Sequence, residues 1–336
     1  MSRIEKQILR TLQRSSSIWK IFREVDADVL STIKTLDKLV REGSVNSKNA
    51  RFLLTRKGKS ILKRERLGKK IDYKQILKET KSLCKNRPGL DESLDQGYQR
   101  YEDIVKRVRF IYDRTDLQNT KILVLGVDAS QSISLALTGL PKEIICLEID
   151  ERIVRFINKV ARDKELKLKA IKYDVQHTLK LNEKFDVLIT DPIESIHAIK
   201  LFLSRGIGKL KQDGVIYFTH ALPESSVKKA YMVQKILHKM NFVITDIIRD
   251  FSLYSESQNS SSYYNSFSEK FKYKFKLPDV DYYFTDLIRA EAIGKPEELI
   301  KGEYKFGKRI YNDSNIVFKI PTKNLKEERS IKSQSL

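Results

Sequence analysis

Residues 121–148 read KILVLGVDASQSISLALTGLPKEIICLE, and this stretch decides the fold. It opens with an apolar run that ends at Gly126 and closes with a second apolar run that ends at Glu148. Between them, Ile133, Leu135 and Leu137 lie in a predicted helix. A buried strand, a helix and a second buried strand form a βαβ unit, in which the two strands are parallel.

The same alternation continues along the chain. Further strands are predicted at 168–173, 186–190 and 214–218, and an amphipathic helix over residues 104–112 precedes the first strand. Repeated units of this kind build a doubly wound α/β fold around a mostly parallel sheet. We assign residues 104–295 to this domain, and we expect its ligand at the carboxyl ends of the strands.

The predicted strand ends carry residues suited to a nucleoside. Gly126 allows the backbone to approach a ligand closely, and Glu148 follows 22 residues later, a spacing typical of an acid that binds a ribose hydroxyl. Asp174 ends the third strand and Asp191 the fourth. The alternative is that each acid only caps a helix. The candidate nucleoside-binding residues are Gly126, Glu148, Asp150 and Asp174.

The loop after the first strand argues against a dinucleotide. It reads GVDASQS from Gly126 to Ser132, without the second and third glycines that a pyrophosphate requires. A sulfonium nucleoside has no phosphate and carries a positive charge, which suits a carboxylate such as Asp128. The sequence therefore predicts a class I, methyltransferase-type Rossmann domain that binds an adenosyl-sulfonium compound.

Composition narrows the class of protein further. No apolar run approaches the roughly 20 residues of a membrane-spanning helix, and no cleavable signal precedes the first predicted helix, so we expect a cytoplasmic protein. The two cysteines and four histidines form no paired ligand motif, so no metal site is predicted.

The net charge of +21 comes from the two ends of the chain. Residues 1–85 hold 23 Lys and Arg against 9 Asp and Glu, and residues 301–336 hold 9 against 4. A basic region attracts polyanions, which makes nucleic acid a candidate partner. The alternative is a lysine-rich surface of the kind found in proteins that work at high temperature.

Residues 1–68 resemble a winged-helix domain, with three predicted helices, a short hairpin and a helix that follows Leu54-Thr55. We predict that Val29, Ile33, Leu36 and Val40 form the buried face of the third helix. Its exposed face would then carry polar residues, including Thr32.

In winged-helix domains the third helix enters the major groove of DNA. The candidate DNA-binding residues are Lys34, Lys38, Lys48 and Arg51. The alternative is a docking or dimerisation module, which allows a homo-oligomer. Residues 69–103 are predicted to form a connector.

Several blocks between residues 87 and 291 resemble the N4-bis(aminopropyl)spermidine synthases, the branched-chain polyamine synthases of thermophiles. They read RPGLDESLDQ, VRFIYDRTDL, VLGVDASQSISLALTGLP, FDVLITDPIES, LFLSRGI, YFTH, MNFVITDIIRDFSLY and DYYFTDLIRAE. The resemblance implies transfer of aminopropyl groups from decarboxylated S-adenosylmethionine, as co-substrate, to a secondary amine of a polyamine.

The resemblance also implies roles for the acids. The attacking nitrogen must lose a proton, and the neighbouring ammoniums need carboxylate partners. We expect Asp191 to accept the proton, Asp128 and Glu194 to hold ammoniums, and Glu148 to hold the ribose. The further substrate-binding candidates are Asp95, Pro192 and His220.

The chain departs from the family at two motifs. The family loop has three aspartates after its glycine, where this chain has Val127, Asp128 and Ala129. The family's Asp-Pro-Pro is Asp191-Pro192-Ile193 here. These changes leave open an altered acceptor or a weakened activity, an N-methyltransferase that uses S-adenosylmethionine, and an inactive DNA-binding regulator.

Two further segments are assigned from composition. Residues 255–268 are predicted to be a polar insertion, and residues 296–336 a basic C-terminal tail. Aromatic residues alternate with lysines from Phe271 to Leu277, which favours an edge strand over a nucleic-acid contact.

Overall fold

The computed structural model describes residues 1–221, 223, 225–254, 276, 279–305 and 310. The predicted polar insertion at 255–268, the alternating segment around 271–277 except Lys276, and the tail beyond Ile310 lie outside the described residues.

The N-terminal unit contains three helices, a two-stranded antiparallel hairpin and a fourth helix. Ser2 and Glu5 form a capping box that starts the first helix. The core of the unit holds Ile8, Leu9, Ile21 and Leu39. This element order is the one predicted, while the assignment to the winged-helix class stays a prediction. The bounds are α1 (Arg3–Leu12), α2 (Ile18–Glu24), α3 (Val29–Arg41), β1 (Val45–Lys48), β2 (Arg51–Leu54) and α4 (Arg56–Arg64).

The predicted buried face of α3 is confirmed at Leu36 and Val40, which lie in or against the core, and wrong at Val29 and Ile33. The helix buries Thr32, Leu36 and Leu39, whereas Val29 is 54% exposed and Ile33 is 40% exposed. Apolar residues lie on more than one side of this helix, so periodicity alone admits either orientation. The Thr32 hydroxyl donates to the Asp28 carbonyl within the helix, which satisfies it without solvent.

The larger unit is built on a seven-stranded sheet with the order β5-β4-β3-β6-β7-β9-β8. Strands β3 to β7 are parallel, and β9 runs antiparallel to both its neighbours. This arrangement confirms the predicted α/β fold. The strands are β3 (Lys121–Leu125), β4 (Glu143–Glu148), β5 (Leu168–Lys172), β6 (Phe185–Thr190), β7 (Leu210–His220), β8 (Phe242–Leu253) and β9 (Phe284–Ala292).

Helices cover both faces of the sheet because its strands are apolar on both sides. In β3, Leu123 and Leu125 belong to the core on one face, while Ile122 and Val124 belong to the core on the other. Helices α9 and α10 pack on the first face, and α5 to α8 on the second. The bounds are α5 (Tyr73–Cys84), α6 (Tyr101–Asp113), α7 (Ala129–Leu137), α8 (Glu151–Asp163), α9 (Ile196–Ile207) and α10 (Val227–Lys239).

Two segments predicted as irregular take part in this core. The predicted connector, 69–103, contains α5, whose Cys84 packs with Val108. Beyond the sheet, Ile300 and Ile310 are buried in the core. The Arg205 guanidinium donates to the Ile300 carbonyl at 3.3 Å and to the Gly302 carbonyl at 2.7 Å. The start of the predicted tail is therefore packed against the sheet domain.

A buried ion network joins the N-terminal unit to the sheet. Arg289 on β9 is fully buried and donates to Asp116 at 2.9 Å, to Tyr217 at 3.0 Å and to Glu291 at 2.5 Å. Arg3 on α1 reaches the same Asp116 at 2.8 Å. The two arginines lower the pKa of Asp116, although burial by itself raises it. The network fixes α1 against the sheet.

Candidate active site

The carboxyl ends of β3, β4, β6 and β7 form one edge of the sheet. The register pairs Thr190 with both Leu125 and Phe218, so these strands end close to the same level. Gly126, Glu148, Asp191 and His220 follow or end these strands. The structure therefore brings most of the predicted site residues to the edge that the fold makes available for a ligand.

Gly126 occupies a position where a larger residue would be strained. Its φ is +58°, and a Cβ there would lie 2.7 Å from Cε1 of the Phe202 ring. Its backbone N–H donates to the Leu147 carbonyl at 3.0 Å, which links the ends of β3 and β4. The glycine lets the chain turn sharply beside the candidate nucleoside position.

Glu148 and Asp150 lie together at the end of β4, but their pKa values are shifted in opposite directions. Burial raises the pKa of Glu148 to about 7, while one carboxylate oxygen accepts the Asp150 backbone N–H at 2.9 Å. Burial also acts to raise the pKa of Asp150, but hydrogen bonds from Arg152 and Gln96 outweigh it and lower the pKa to about 2. Asp150 is thus held by protein donors as the N-cap of α8.

Asp191 is the centre of a dense polar cluster. Thr219 and Tyr254 donate hydroxyl hydrogen bonds to its two carboxylate oxygens, and the Gln99 amide donates to Oδ2 at 2.8 Å. Burial raises the pKa of Asp191 to about 6 and the charge of Glu194 adds to the rise, whereas Arg107 and the hydrogen bonds oppose it. A carboxylate with this basicity is suited to accept a proton near neutral pH.

Gln99, Arg107 and Tyr254 were not predicted from the sequence. Arg107 is fully buried, and its guanidinium donates to the Gln99 amide oxygen at 3.0 Å and to the Ser252 hydroxyl at 3.2 Å. The sequence does carry a signal for Arg107, because this residue lies on the apolar face of its amphipathic helix, where a buried charge needs a partner. No comparable signal marks Gln99 or Tyr254.

Asp128 is engaged by protein groups on both carboxylate oxygens. The Arg87 guanidinium donates to them at 3.1 and 3.3 Å and stacks on the Tyr98 ring. The Gln99 backbone N–H and the Ser130 N–H and hydroxyl supply the remaining bonds. An acceptor ammonium would have to displace Arg87 to reach this carboxylate.

Glu194 and His220 form a buried pair beside Asp191. Glu194 accepts the Ala221 backbone N–H on Oε1, and its Oε2 lies 3.1 Å from His220 Nδ1 without the alignment of a hydrogen bond. Within the described part of the chain, Glu194 Oε2 and both His220 ring nitrogens have no hydrogen-bond partner. Buried polar atoms of this kind indicate a missing ligand or water.

The remaining predicted residues lie further from this cluster or play backbone roles. Asp95 is exposed on the loop before α6 with a φ of +56°, and Pro192 is buried directly after Asp191. Asp174 follows β5 and accepts the Gln176 backbone N–H at 2.9 Å. Across the described residues, no group of three or more His, Cys, Asp or Glu side chains is arranged to hold a metal ion.

The predicted DNA-binding residues lie on α3 and the hairpin. Lys34, Lys48 and Arg51 are exposed. Lys38 forms an ion pair with Glu5 at 2.6 Å. Their contact with nucleic acid stays a prediction. Within the described residues, no helix is long and apolar enough to cross a bilayer.

Comparisons with known proteins cover most of the chain. The family model described as the branched-chain polyamine synthase A C-terminal domain matches residues 75–317. The N(4)-bis(aminopropyl)spermidine synthase of Thermococcus kodakarensis is 34% identical over 269 residues, which are 74% of this chain and 77% of the relative. The protein of the same name from Methanocaldococcus jannaschii is 30% identical over 329 residues, 92% of this chain and 93% of the relative.

A solved structure shares the architecture. The C9 mutein of the branched-chain polyamine synthase from Thermus thermophilus, in complex with N4-aminopropylspermidine and 5'-methylthioadenosine, aligns with a TM-score of 0.65. The alignment covers 93% of this chain and 92% of that one at 22% identity. This likeness supports the predicted Rossmann fold of the larger unit.

Proposed function

Because this chain belongs to the branched-chain polyamine synthase family, we propose that it transfers aminopropyl groups from decarboxylated S-adenosylmethionine to a secondary amine of a polyamine. The observation that carries the proposal is the Asp191 cluster, a partly buried carboxylate with raised pKa at the ligand edge of the sheet. In the reaction, the amine nitrogen bonds to the carbon next to the sulfonium, the carbon–sulfur bond breaks, and methylthioadenosine leaves.

Asp191 is the proposed proton acceptor. The attacking amine is protonated in water, and it must lose that proton before its lone pair can attack. With a pKa of about 6, Asp191 is ionised at neutral pH and more basic than an ordinary aspartate. Thr219, Tyr254 and Gln99 hold the carboxylate in place and act as positioning residues.

Glu194 and His220 are the proposed partners of a flanking ammonium. Both are buried next to Asp191, and Glu194 Oε2 lacks a hydrogen-bond partner among the described residues. A bound ammonium would satisfy this oxygen and offset the cost of burying the carboxylate. Asp128 is less suited to this role because Arg87 already neutralises it. We propose that Asp128 instead fixes Arg87 and the start of α7.

The nucleoside is proposed to lie over Gly126, with Glu148 on the ribose. Gly126 turns the backbone at the end of β3 with a left-handed φ of +58°, and Glu148 has a pKa of about 7 and accepts hydrogen bonds from backbone N–H groups, including that of Asp150. Asp150 contributes by capping α8, and Asp174 stays a candidate contact at the end of β5.

The family's missing aspartates correspond to buried apolar residues in this chain. Val127 and Ala129 belong to the core cluster that contains α7, and Ile193 packs against the core on the other face. Carboxylates at positions 127 and 129 would be costly to bury here, whereas Ile193 replaces a proline of the family motif. The proposed activity therefore relies on Asp191 and Glu194 rather than on the loop that follows Gly126.

The direct test is a product assay. The purified protein is incubated with decarboxylated S-adenosylmethionine and a panel of polyamines, and the products are followed by mass spectrometry. We expect methylthioadenosine together with polyamines that carry an added aminopropyl group on an internal nitrogen. Ordinary S-adenosylmethionine is the matched control, and a methylated product would favour the methyltransferase alternative. A protein that releases no methylthioadenosine with any acceptor would contradict the proposal.

A second proposal concerns the basic N-terminal unit. The charge of residues 1–85 favours a nucleic-acid partner, with Lys34, Lys48 and Arg51 as exposed candidate contacts. Equilibrium binding of labelled nucleic acid to the full chain tests this proposal independently of catalysis. A homo-oligomer and a cytoplasmic location stay predictions.

A further inference from the structure

A groove of about 1050 Å³ lies where the N-terminal unit meets the sheet domain. It is separate from the candidate active site, with which it shares no lining residue. Its walls come from α1, β2, α4 and the turn after α7. The lining residues are Leu12, Gln13, Leu53, Leu54, Lys59, Leu62, Lys63, Arg66, Gly68, Lys69 and Gly139.

The groove is positively charged, and no acidic residue among its described lining residues offsets that charge. Four of its lining residues are cations. Residues 56–70, RKGKSILKRERLGKK, hold eight basic residues and one acid, Glu65. Glu65 is already bound by Asn119 at 2.9 Å and by Arg64 at 3.1 Å. The positive field of this surface is therefore available to an external anion.

The cations are arranged in a row. Lys59 and Lys63 are four residues apart on α4, which places them on the same side of the helix one turn apart. Arg66 and Lys69 continue the row beyond the helix. Arg66 donates to the Gly139 carbonyl at 2.5 Å and Lys69 to the Thr138 carbonyl at 2.8 Å, so the end of α7 holds both side chains in place. Arginine and lysine carry five and three donors respectively, which leaves further donors for a ligand.

A row of four cations, two of them anchored by hydrogen bonds, fits an anion whose charges also repeat. We propose that this groove binds the phosphodiester backbone of a nucleic acid. This inference rests on the nucleic-acid proposal above but places the contact in the groove instead of on α3. Helix α3 exposes Val29, Leu30 and Ile33, where a helix that reads a DNA groove would present polar side chains.

The residues that line the groove also indicate whether it would bind a duplex or a single strand. Its neutral wall is mainly leucine, and none of the described lining residues is aromatic, so it offers no platform for stacking unpaired bases. Binding through phosphates alone carries no base readout. A duplex is therefore preferred over a single strand, without sequence preference.

The test measures binding of the full chain to short labelled duplex DNA, duplex RNA and single strands by fluorescence anisotropy. Four phosphate contacts predict a slope of log K against log salt of about −3.6 for duplex DNA, which is a loss of roughly 150-fold in affinity between 50 and 200 mM salt. The charge reversal K59E/K63E removes two contacts, and the slope is expected to fall to about −1.8.

The matched control is K235E/K239E. These lysines are also exposed and four residues apart, but they lie on α10, which packs on the other face of the sheet from α7. The control has the same net charge and is expected to keep the wild-type slope. Release of methylthioadenosine by each variant reports that the fold is intact, and K59Q/K63Q replaces the reversal if that activity is lost.

The outcomes separate the two proposals. Loss of affinity and slope in K59E/K63E, with the control unchanged, supports the groove. Wild-type binding that both double variants weaken equally, or that neither weakens, overturns the groove while leaving nucleic-acid binding in place. A wild-type chain that binds no nucleic acid at 50 mM salt overturns both.

Discussion

The Gln99 side-chain amide donates a hydrogen bond to Asp191 Oδ2 at 2.8 Å and accepts one from Arg107 at 3.0 Å. Its backbone N–H donates to Asp128 at 3.2 Å. One residue from the loop before α6 thus connects the two aspartates of the ligand edge to a buried arginine. The orientation of the proposed proton acceptor therefore depends on a segment far from it in sequence.

Replacing Gln99 by alanine is expected to shift the pH dependence of turnover. A hydrogen bond to a carboxylate stabilises its charged form, so its loss raises the pKa of Asp191 above about 6. A hydrogen bond to a charged group contributes about 1.5–3 kcal/mol, so the acidic limb of kcat should move to higher pH by about one unit or more. The measurement is a pH–rate profile. The control is Gln96→Ala, which removes the equivalent bond to Asp150 and should leave the limb in place. An unmoved limb in Gln99→Ala would contradict the proposed positioning role.

Asp191→Asn is expected to lower kcat by about 10²- to 10⁴-fold, because it removes the proposed proton acceptor while keeping the side-chain shape. The affinity for the aminopropyl donor should change little.

The stability of Asp191→Asn should respond in the opposite direction to its activity. The pKa of Asp191 is raised in the folded chain from 3.8 to about 6, so the contribution of this group to stability falls as pH rises through that range. The variant should lose this pH dependence and be at least as stable as the wild type at neutral pH. Turnover and chemical denaturation at several pH values measure both effects, and wild-type turnover in the variant would exclude Asp191 as the base.

Gly126→Ala is expected to destabilise the fold and weaken donor binding together. A left-handed φ costs a non-glycine residue about 1–2 kcal/mol, and the added methyl group would also meet the Phe202 ring at 2.7 Å. Gly43→Ala is the matched control, since Gly43 has a φ of +71° but no heavy atom within 4 Å of its Cβ position. The free energy of unfolding should fall further in Gly126→Ala than in Gly43→Ala. Equal losses in the two variants would show that the contact with Phe202 is relieved at no cost.

Arg289→Met is expected to lower the free energy of unfolding by about 3 kcal/mol, the low end of the range for a broken buried pair, because Asp116 and Glu291 lose their buried partner but keep Arg3. The loss should be greatest at neutral pH. The pKa of Asp116 lies below its usual 3.8, so the stability that it contributes is present above that pH and is lost in acid. Arg249→Met is the control, since Arg249 is 64% exposed and pairs with Asp286 at 3.4 Å. Its effect should stay within about 1 kcal/mol. Similar losses in both variants would argue against the buried network as the main link to α1.

The position of the ligand edge could be predicted from local sequence, whereas its polar contacts could not. Each strand is a short apolar run, and the residue that ends it is read directly from the chain, which is why Gly126, Glu148, Asp174 and Asp191 could be nominated. Gln99 and Tyr254 reach Asp191 across 92 and 63 residues. No periodicity or spacing links residues so far apart.

The sequence also could not show which residues of the N-terminal helices face solvent. Helix α3 was predicted correctly as a helix, but only half of its predicted buried face is buried, because two overlapping apolar stripes compete and α3 packs against α1 through one of them. The exposed apolar face of α3 and the cationic row beside α4 became visible only once that packing was known.

The sequence by itself determined the α/β sheet, its strand ends and the adenosyl-type chemistry, since strand pattern and terminal residues are local properties of the chain. Tertiary structure decided which carboxylates remain available to a substrate. Asp128 is neutralised by Arg87 across 41 residues, while Asp191 and Glu194 share an edge of the sheet where burial raises the pKa of Asp191. The electrostatic state of a carboxylate depends on its burial and its partners in space, and these exist only in the folded chain.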